Sequence, residues 1–344
     1  MALKVTSAEV ARLAGVSQSA VSRVFTPGAS VSPETVDKVL RAAEMLGYRP
    51  NVLARAMITG KSRIIGLLVG YLENQFYPVA LELLSRELQR NGYHVLVFMA
   101  DDDPKRTAQV VRELLSYQVD GIVAASVTIT TDLAERCARA GIPVVLFNRG
   151  QDHSGHIEVT CDNVRGGREV ARFLVAGGHR RVAHVAGWQG ASTGRDRARG
   201  LMEGLALAGL EPVAVVDGFY RQEVAAPAAR RLMEAPDPPD AIFVGNDHMA
   251  FAVLDELRYR MGLTVPGDVS VVGFDDVPMA AWAPYDLTTL RQPVRRMVME
   301  AVESLLIVVE GRGTSGIMRI PGTLVVRGSA RTDLPRTPHP EFQS

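Results

Sequence analysis

The sequence has only two cysteines, Cys137 and Cys161, and no long uninterrupted apolar run. Two thiols this far apart are too few for a disulfide framework and lack the spacing of a zinc site, which favours a reducing compartment. The amino terminus lacks the apolar stretch of a secretion signal, and nowhere do about 18 apolar residues follow one another. We therefore expect a soluble, cytoplasmic protein that needs no metal or other cofactor.

The sequence also has no formal net charge, because 38 Lys and Arg balance 38 Asp and Glu. The basic and acidic residues are, however, unevenly distributed along the chain. Residues 1–63 carry nine basic against four acidic side chains, and residues 64–344 carry 29 against 34. A basic head on a mildly acidic body suits a protein that presents one end to nucleic-acid phosphates. The alternative is that the charges of a solvated surface are unevenly distributed by chance.

A length of 344 residues predicts two or three globular units.

The head begins with two helix signals in succession. Thr6 to Glu9 has the order of a capping box, which predicts a helix over residues 7–14 that Gly15 ends. Ser17 can cap a second helix over residues 18–25. Two short helices joined by a glycine-containing turn are the helix-turn-helix pattern.

A third helix is predicted to begin at Ser32-Pro33 and to end at Gly47. Apolar residues at helical spacing predict that the three helices share one small core. These residues are Val10, Leu13, Ala14, Val16, Val21, Val24, Val36, Val39, Leu40 and Ala43. The pattern alone does not separate a DNA-binding unit from any other helical-hairpin scaffold.

The stretch VTSAEVARLAGVSQSAVSRVF, followed by VSPETVDKVLRAAEMLGYRPNVLARAM, resembles the head of the LacI/GalR family of repressors almost without gaps. The resemblance implies that Gln18 and Ser19 contact base edges in the major groove. It also implies a base contact by Arg23, whose planar guanidinium group can donate two hydrogen bonds to guanine. Thr26 stands where the family commonly has Asn. The resemblance also implies phosphate contacts by Thr6, Ser17, Ser22, Ser32, Thr35, Tyr48 and Asn51. Helix capping alone is the alternative for Thr6, Ser17 and Ser32.

A linker at residues 51–63 follows the predicted DNA-binding domain at residues 1–50. It carries a helix signal of about seven residues, shorter than the ~12–15 that an isolated helix needs to persist in water. The resemblance implies a hinge helix that pairs with its copy from a second subunit in the minor groove, with Ala54 and Met57 at the contacting positions. Such a helix could fold or unfold in response to an effector. An ordinary interdomain linker is the alternative.

The body alternates apolar runs with helical stretches, which predicts parallel sheets covered by helices on both faces. About eight runs exceed one small sheet, so the expected fold class is α/β, with two doubly wound subdomains behind the all-α head. We expect one subdomain at 64–161 plus 290–332, with the strand GTLVVRGSA returning to it, and the other at 162–289. A disordered tail is expected at 333–344. The body resembles the periplasmic-binding-protein-like domain of the same family.

Ligands of such sheets bind outside the carboxyl ends of the strands. The resemblance implies that polar and aromatic residues at these ends hold an effector between the subdomains, and the effector is expected to be hydroxylated and sugar-like. The predicted effector-binding residues are Phe76, Asn148, Asp162, Arg197, Phe219, Asn246 and Asp275. A structural ion pair is the alternative for Arg197 and Asp275, and packing or capping is the alternative for the others.

The complete hypothesis is a homodimeric transcription regulator, expected to be a repressor, that binds a near-palindromic operator and is controlled by the effector. A sugar-modifying enzyme and a transport-type sugar-binding protein are the alternatives. The glycine-rich loop at residues 187–194 lacks the ending of a nucleotide-binding loop, and no catalytic motif is found. Asp101 to Asp103 could form a cation site or a solvated loop.

Overall fold

The computed structural model describes residues 5–25, 29–49, 61–100, 104–127, 131–151, 155–313 and 316–332. The predicted hinge residues Asn51, Ala54 and Met57, Thr26, the aspartates at 101–103 and the tail from Asp333 lie outside these ranges. Two compact units are found, with the division after Ser62.

The amino-terminal unit has three helices in its described part, as the capping signals predict. The side chains of Thr6, Ser17 and Ser32 cap their amino ends, and the capping box of Thr6 is complete. Gly15 and Gly47 end the first and third helices with φ of 66° and 64°, which glycine adopts without steric cost. The bounds are Ser7–Ala14 for α1, Gln18–Val24 for α2 and Pro33–Leu46 for α3.

The core of this unit is formed by short side chains. Val10, Val21 and Val39, one from each helix, are completely buried. Leu13 and Leu40 were predicted in the same core, and this is wrong, because each is 48% exposed. Leu40 follows Val39 by one residue, about 100° around the helix, and therefore lies at the rim of the stripe that faces inward.

The second unit contains two α/β lobes, each with a six-stranded sheet. The first lobe is formed by β1 Ile64–Val69, α4 Phe76–Arg90, β2 His94–Met99, α5 Pro104–Ser116, β3 Gly121–Ala125, α6 Thr131–Arg139, β4 Val144–Phe147, β5 Ile157–Cys161 and, from the end of the chain, α11 Val294–Val309 and β11 Ile317–Ile320. The strand order is β11-β5-β4-β3-β1-β2, and all pairs are parallel.

The second lobe is formed by α7 Asn163–Ala176, β6 Val182–Ala186, α8 Ser192–Ala206, β7 Ala214–Asp217, α9 Gln222–Met233, β8 Ala241–Val244, α10 Asp247–Asp255, a π-helical turn Glu256–Arg260, β9 Ser270–Asp275, a 3₁₀ turn Pro278–Ala281, β10 Thr288–Arg291 and β12 Thr323–Val325. Its strand order is β12-β10-β9-β8-β6-β7. Only β12 is antiparallel to its neighbour among these strands. The predicted α/β class with two parallel-sheet subdomains is confirmed.

All eight apolar runs form strands, whereas β5, β10 and β11 have no continuous apolar run and were not predicted. Every residue of β5 is buried, including Glu158 and Thr160, which interrupt its apolar pattern. The prediction that residues 322–330 return to the first lobe is wrong. Thr323–Val325 pairs with β10 in the second sheet, because the chain crosses between the lobes again after β11.

Two tight helix contacts determine where the second lobe places its polar side chains. A Cβ on Gly200 of α8 would overlap the carbonyl oxygen of Val164, and a Cβ on Gly167 of α7 would overlap that of Arg197. Only glycine permits this approach, which brings Arg197 to the start of α7. Within the described residues, no helix is long and apolar enough to cross a membrane.

Candidate functional site

The start of α2 presents a polar face. Gln18 and Ser22, and likewise Ser19 and Arg23, are four residues apart, so the four side chains share one side of the helix, and all are exposed. The opposite side packs Val21 into the core. The side-chain amide of Gln18 donates to Ser7 Oγ at 2.9 Å, and the Oγ atoms of Ser17 and Ser19 are 2.9 Å apart. These contacts orient the side chains of Gln18 and Ser19, two of the three predicted readers, at the surface.

The predicted phosphate-binding residues have structural roles as well. Thr6, Ser17 and Ser32 accept hydrogen bonds from backbone amides at the starts of their helices. The Oγ1 of Thr35 lies 2.8 Å from the Oγ of Ser32. Tyr48 is half-buried, with its ring centroid 5.9 Å from that of Phe25. Capping does not exclude phosphate contact, because these hydroxyl groups remain near the surface beside helix amino ends.

A cavity of about 650 Å³ lies between the two lobes. It is within the size range of small-molecule sites and combines aromatic rings with charged groups. Its lining residues are Gly70, Tyr71, Glu73, Ser126, Arg149, Trp188, Phe219, Tyr220, Arg221, Glu223 and Val224.

Of the two predicted aromatic residues, Phe219 lines this cavity and Phe76 does not. Phe219 is half-exposed, and its backbone has the left-handed φ of 54°, stabilised by donation from its N–H to Asp217 Oδ1 at 2.7 Å. Phe76 begins α4 and is buried, edge-on to Tyr77 at 5.4 Å and 6.4 Å from the Phe147 ring. The prediction that Phe76 stacks on the effector is therefore corrected to a packing role in the first lobe.

Arg197 is the centre of a buried polar network. Its Nε donates to Asn163 Oδ1 at 2.9 Å, its Nη1 donates to the carbonyl of Gly245 at 2.6 Å, and its Nη2 lies 3.5 Å from Asp275 Oδ1. The guanidinium also covers the ring of Phe274 at 3.7 Å. The ion pair that was the structural alternative for Arg197 and Asp275 is thus present.

Asp275 connects this network to the first lobe. Asn74, in the loop after β1, donates to Asp275 Oδ2 at 3.1 Å, and Gln292 donates to Oδ1 at 2.7 Å. Burial raises the pKa of Asp275, and the charge of Arg197 opposes that rise. The Asn74 contact depends on the lobes being close together, so Asp275 can respond to a change in their separation.

Asp247 is not among the predicted effector-binding residues, although it follows Asn246 at the carboxyl end of β8. Its Oδ1 lies 2.6 Å from Thr289 Oγ1, and its Oδ2 accepts from the N–H of Val277 at 3.0 Å. Burial, followed by the charge of Asp275, raises the pKa of Asp247 to about 8. A protonated Asp247 can lie beside Asp275 without placing two negative charges together. Its neighbours in the sequence, Asn246 and His248, give no signal for this coupling.

Of the other three predicted residues, two cap helices and the third contacts a distant side chain of the first lobe. Asp162 and Asn246 cap α7 and α10 by accepting from the N–H of Arg165 and Met249 respectively. Asn148 has a left-handed φ of 67° and donates to the Tyr77 hydroxyl at 3.1 Å. Among the described contacts, Asn148 Oδ1 and Asn246 Nδ2 are buried without hydrogen-bond partners. Unpaired buried polar atoms at strand ends are suitable for ligand contact.

Several lining residues were not predicted from the sequence. Arg149 directly follows Asn148, and Trp188 comes two residues after β6, so both are at strand ends and could have been found by that rule. Tyr220 is buried, and its hydroxyl donates to Thr193 Oγ1 at 2.9 Å. Burial raises the pKa of Tyr220, so its hydroxyl stays protonated.

Comparison with known proteins matches two separate parts of the chain to known families. Residues 6–51 match the family described as bacterial regulatory proteins, lacI family, and residues 171–330 match a periplasmic binding protein-like domain. Catabolite control protein A of Priestia megaterium is 31% identical over 296 residues, which cover 85% of this chain and 89% of that protein. The chain belongs to the lacI family of bacterial regulatory proteins.

Other members of the lacI family extend the likeness to nearly the full chain. The HTH-type transcriptional repressor PurR of Photobacterium profundum is 29% identical over 95% of this chain and 98% of its own length. A crystal structure of the lac repressor dimer bound to operator and the anti-inducer ONPF has a TM-score of 0.87, with 27% identity, and covers 95% of this chain and 99% of that one. A complex of the transcriptional regulator CelR with cellobiose has a TM-score of 0.71 and 30% identity, over 95% of this chain and all of that one. The prediction of a DNA-binding transcription regulator rather than an enzyme is confirmed.

Proposed function

We propose that this protein is a sequence-specific repressor whose operator affinity is controlled by a small polar, sugar-like effector bound between the two lobes. The observation that carries the proposal is the exposed polar face of α2, within the segment that matches the lacI family. It acts in the cytoplasm, where the chromosomal DNA is. By analogy with the lac repressor dimer on its operator, two copies bind the two halves of a near-palindromic site.

Sequence recognition is assigned to Gln18, Ser19 and Arg23. Arg23 is the strongest of the three for a test, because a guanidinium can donate two hydrogen bonds to one guanine. Thr6, Ser17, Ser22, Ser32, Thr35, Tyr48 and Asn51 are assigned to phosphates, and Ala54 and Met57 to the minor groove.

The test is selection of bound sites from a random duplex library by the full-length chain, followed by affinity measurements at fixed salt concentration. Arg23→Ala is expected to lower affinity for the selected site by about ten- to a hundredfold and to lose preference at one base pair, since a bidentate contact contributes ~1–3 kcal/mol of discrimination. The matched control is Arg12→Ala, which removes an arginine from the last turn of α1. An unchanged sequence preference in Arg23→Ala would show that the recognition assignment is wrong.

Effector control is assigned to the cavity between the lobes. Phe219 and Trp188 present half-exposed rings, and the charged side chains around them can bind hydroxyl groups. A ligand that contacts both lobes favours one lobe arrangement over the other, and the linker at residues 51–63 would transmit this preference to the DNA-binding domains. Phe219→Ala should weaken the effector's influence on operator binding while leaving affinity without effector unchanged, which gel-shift titration can measure.

A further inference from the structure

A second, smaller cavity of about 160 Å³ adjoins the first, because Arg149 lines both. It lies between the loop after β4 in the first lobe and the start of α8 in the second. Two of its lining side chains are arginines, and among the residues that the structure describes none of the lining side chains is acidic. The lining residues are Val127, Arg149, Gly150, Gln151, Gly190, Ala191, Ser192 and Arg195.

The amino end of α8 forms one wall of this small cavity. α8 is 15 residues long, its N-cap position is Ala191, and no side chain of the described residues caps it. The first turn also contains no acidic residue. Backbone N–H groups at such an end have no partner within the helix, and together with the helix dipole they favour an anion.

Arg149 provides an independent reason to expect an anion. It is only 8% exposed, and within the described part of the chain its Nε is buried without a hydrogen-bond partner. Its guanidinium lies 5.7 Å from the ring centroid of Trp188 in the other lobe, which orients it but does not neutralise its charge. A buried cation with an unused donor is costly unless an anion pairs with it.

Other contacts hold the small cavity in shape. Gly150 N–H donates to Ser192 Oγ at 3.0 Å, across the two lobes. Arg195 Nη1 donates to the carbonyl of Gly190 at 3.1 Å, which keeps that side chain beside the glycine loop. The carboxylate of Glu158, in β5, accepts from the N–H of Gln151 at 2.9 Å and is not among the described lining residues.

We propose that the effector carries an anionic group, a phosphate ester or a carboxylate, which binds in the small cavity between Arg149 and the amino end of α8, while its ring lies in the larger cavity. This inference rests on the proposed function of the larger cavity. The buried network of Arg197 already uses its hydrogen-bonding groups internally, whereas Arg149 has a donor available. An anion held from both lobes stabilises the arrangement in which Gly150 and Ser192 are in contact.

The first test uses inorganic phosphate and acetate as probes in thermal unfolding of the full chain, each compared with chloride at equal ionic strength. We expect phosphate or acetate to raise Tm in the wild type and in the control Arg231→Gln, which replaces an exposed arginine of α9. Arg149→Gln should lose the site-specific part of this increase and bind the anion at least about tenfold more weakly, as expected for a charge-assisted hydrogen bond. The anion with the larger Arg149-dependent effect identifies the chemical group.

A second variant keeps the test decisive if Arg149→Gln folds poorly. Ser192→Asp places a carboxylate at the helix amino end, where it should stabilise α8 and exclude the probe anion. Its Tm should therefore no longer respond to phosphate or acetate beyond the general effect of salt. An equal anion response in the wild type, Arg149→Gln and Ser192→Asp, or no response in the wild type, would overturn the proposal.

A comparison of D-glucose, D-glucose 6-phosphate and D-glucuronate in operator-binding assays separates this inference from the proposed function. A change in operator affinity with an anionic sugar, at least about tenfold weaker in Ser192→Asp, would support it. An equal response to neutral D-glucose in both proteins would overturn the anionic effector and leave the regulator intact. Loss of sequence-specific DNA binding by the unmodified chain would instead overturn the proposed function.

Discussion

Replacement of Arg197 by Met tests whether its buried network stabilises the second lobe. Methionine keeps an apolar stem against the ring of Phe274 but removes all the donors. Asn163 Oδ1 and the carbonyl of Gly245 would each lose a buried hydrogen bond, at 2.9 and 2.6 Å, and Asp275 would lose its cation at 3.5 Å.

The expected loss of stability follows from these contacts. An acceptor left unpaired in the interior costs ~1–3 kcal/mol, and removal of one partner of a buried ion pair costs ~3–5 kcal/mol. These contributions overlap, because Asp275 keeps its bonds from Asn74 and Gln292. We expect the free energy of unfolding of the second lobe to fall by about 4 kcal/mol.

Urea unfolding followed by tryptophan fluorescence measures this change directly, because Trp188 and Trp282 are the chain's two tryptophans and both belong to the second lobe. The matched control is Arg199→Met, on the same helix, where the side chain is 57% exposed and pairs with Asp196. It should change stability by less than ~0.5 kcal/mol.

The double variant Arg197→Met, Asp275→Asn identifies the cause of the loss. If the uncompensated carboxylate is responsible, neutralising it should recover at least about 1 kcal/mol relative to additive effects. A loss in Arg197→Met no larger than that in Arg199→Met would refute the reasoning, and strictly additive effects in the double variant would refute the role of the charge.

Two further predictions concern the same lobe. The pKa of Asp247 is about 8 in the folded state, against 3.8 for the ordinary group. Between these two values the folded state keeps a proton that the unfolded state releases. The contribution of Asp247 to the free energy of unfolding therefore falls as pH rises from about 4 to 8. In Asp247→Asn the stability measured by urea unfolding should fall less steeply over that range, and equal slopes would contradict the assigned pKa. Gly200→Ala should lower Tm by the equivalent of about 1–3 kcal/mol, although alanine is the better helix former, because its Cβ meets the carbonyl of Val164. A higher Tm would show that α7 and α8 can separate without cost.

The head was predicted closely from sequence because its signals are local. A cap such as Ser17 and a stop such as Gly15 act on backbone groups within one turn, so the helix bounds follow from neighbouring residues. The errors at Leu13 and Leu40 arise where tertiary packing chooses among apolar residues of similar spacing. Likewise, β5 and β12 were not assigned correctly because their places depend on which strand lies beside them.

The residues at the cavity between the lobes can be predicted only in part from local sequence signals. The rule that ligands bind at strand ends finds Asn148, Asn246 and Asp275, but it does not show which of these side chains are already satisfied by the protein. Only the folded structure shows that Asp275 is held by Asn74 from the opposite lobe, while Arg149 keeps a buried Nε without a partner among the described contacts. A side chain that is paired with the opposite lobe loses a hydrogen bond when the lobes separate, whereas a side chain with an unused donor can bind the ligand. We therefore expect Arg149 and its neighbours to determine which effector binds, and the Arg197–Asp275 network to determine how the lobes respond to it.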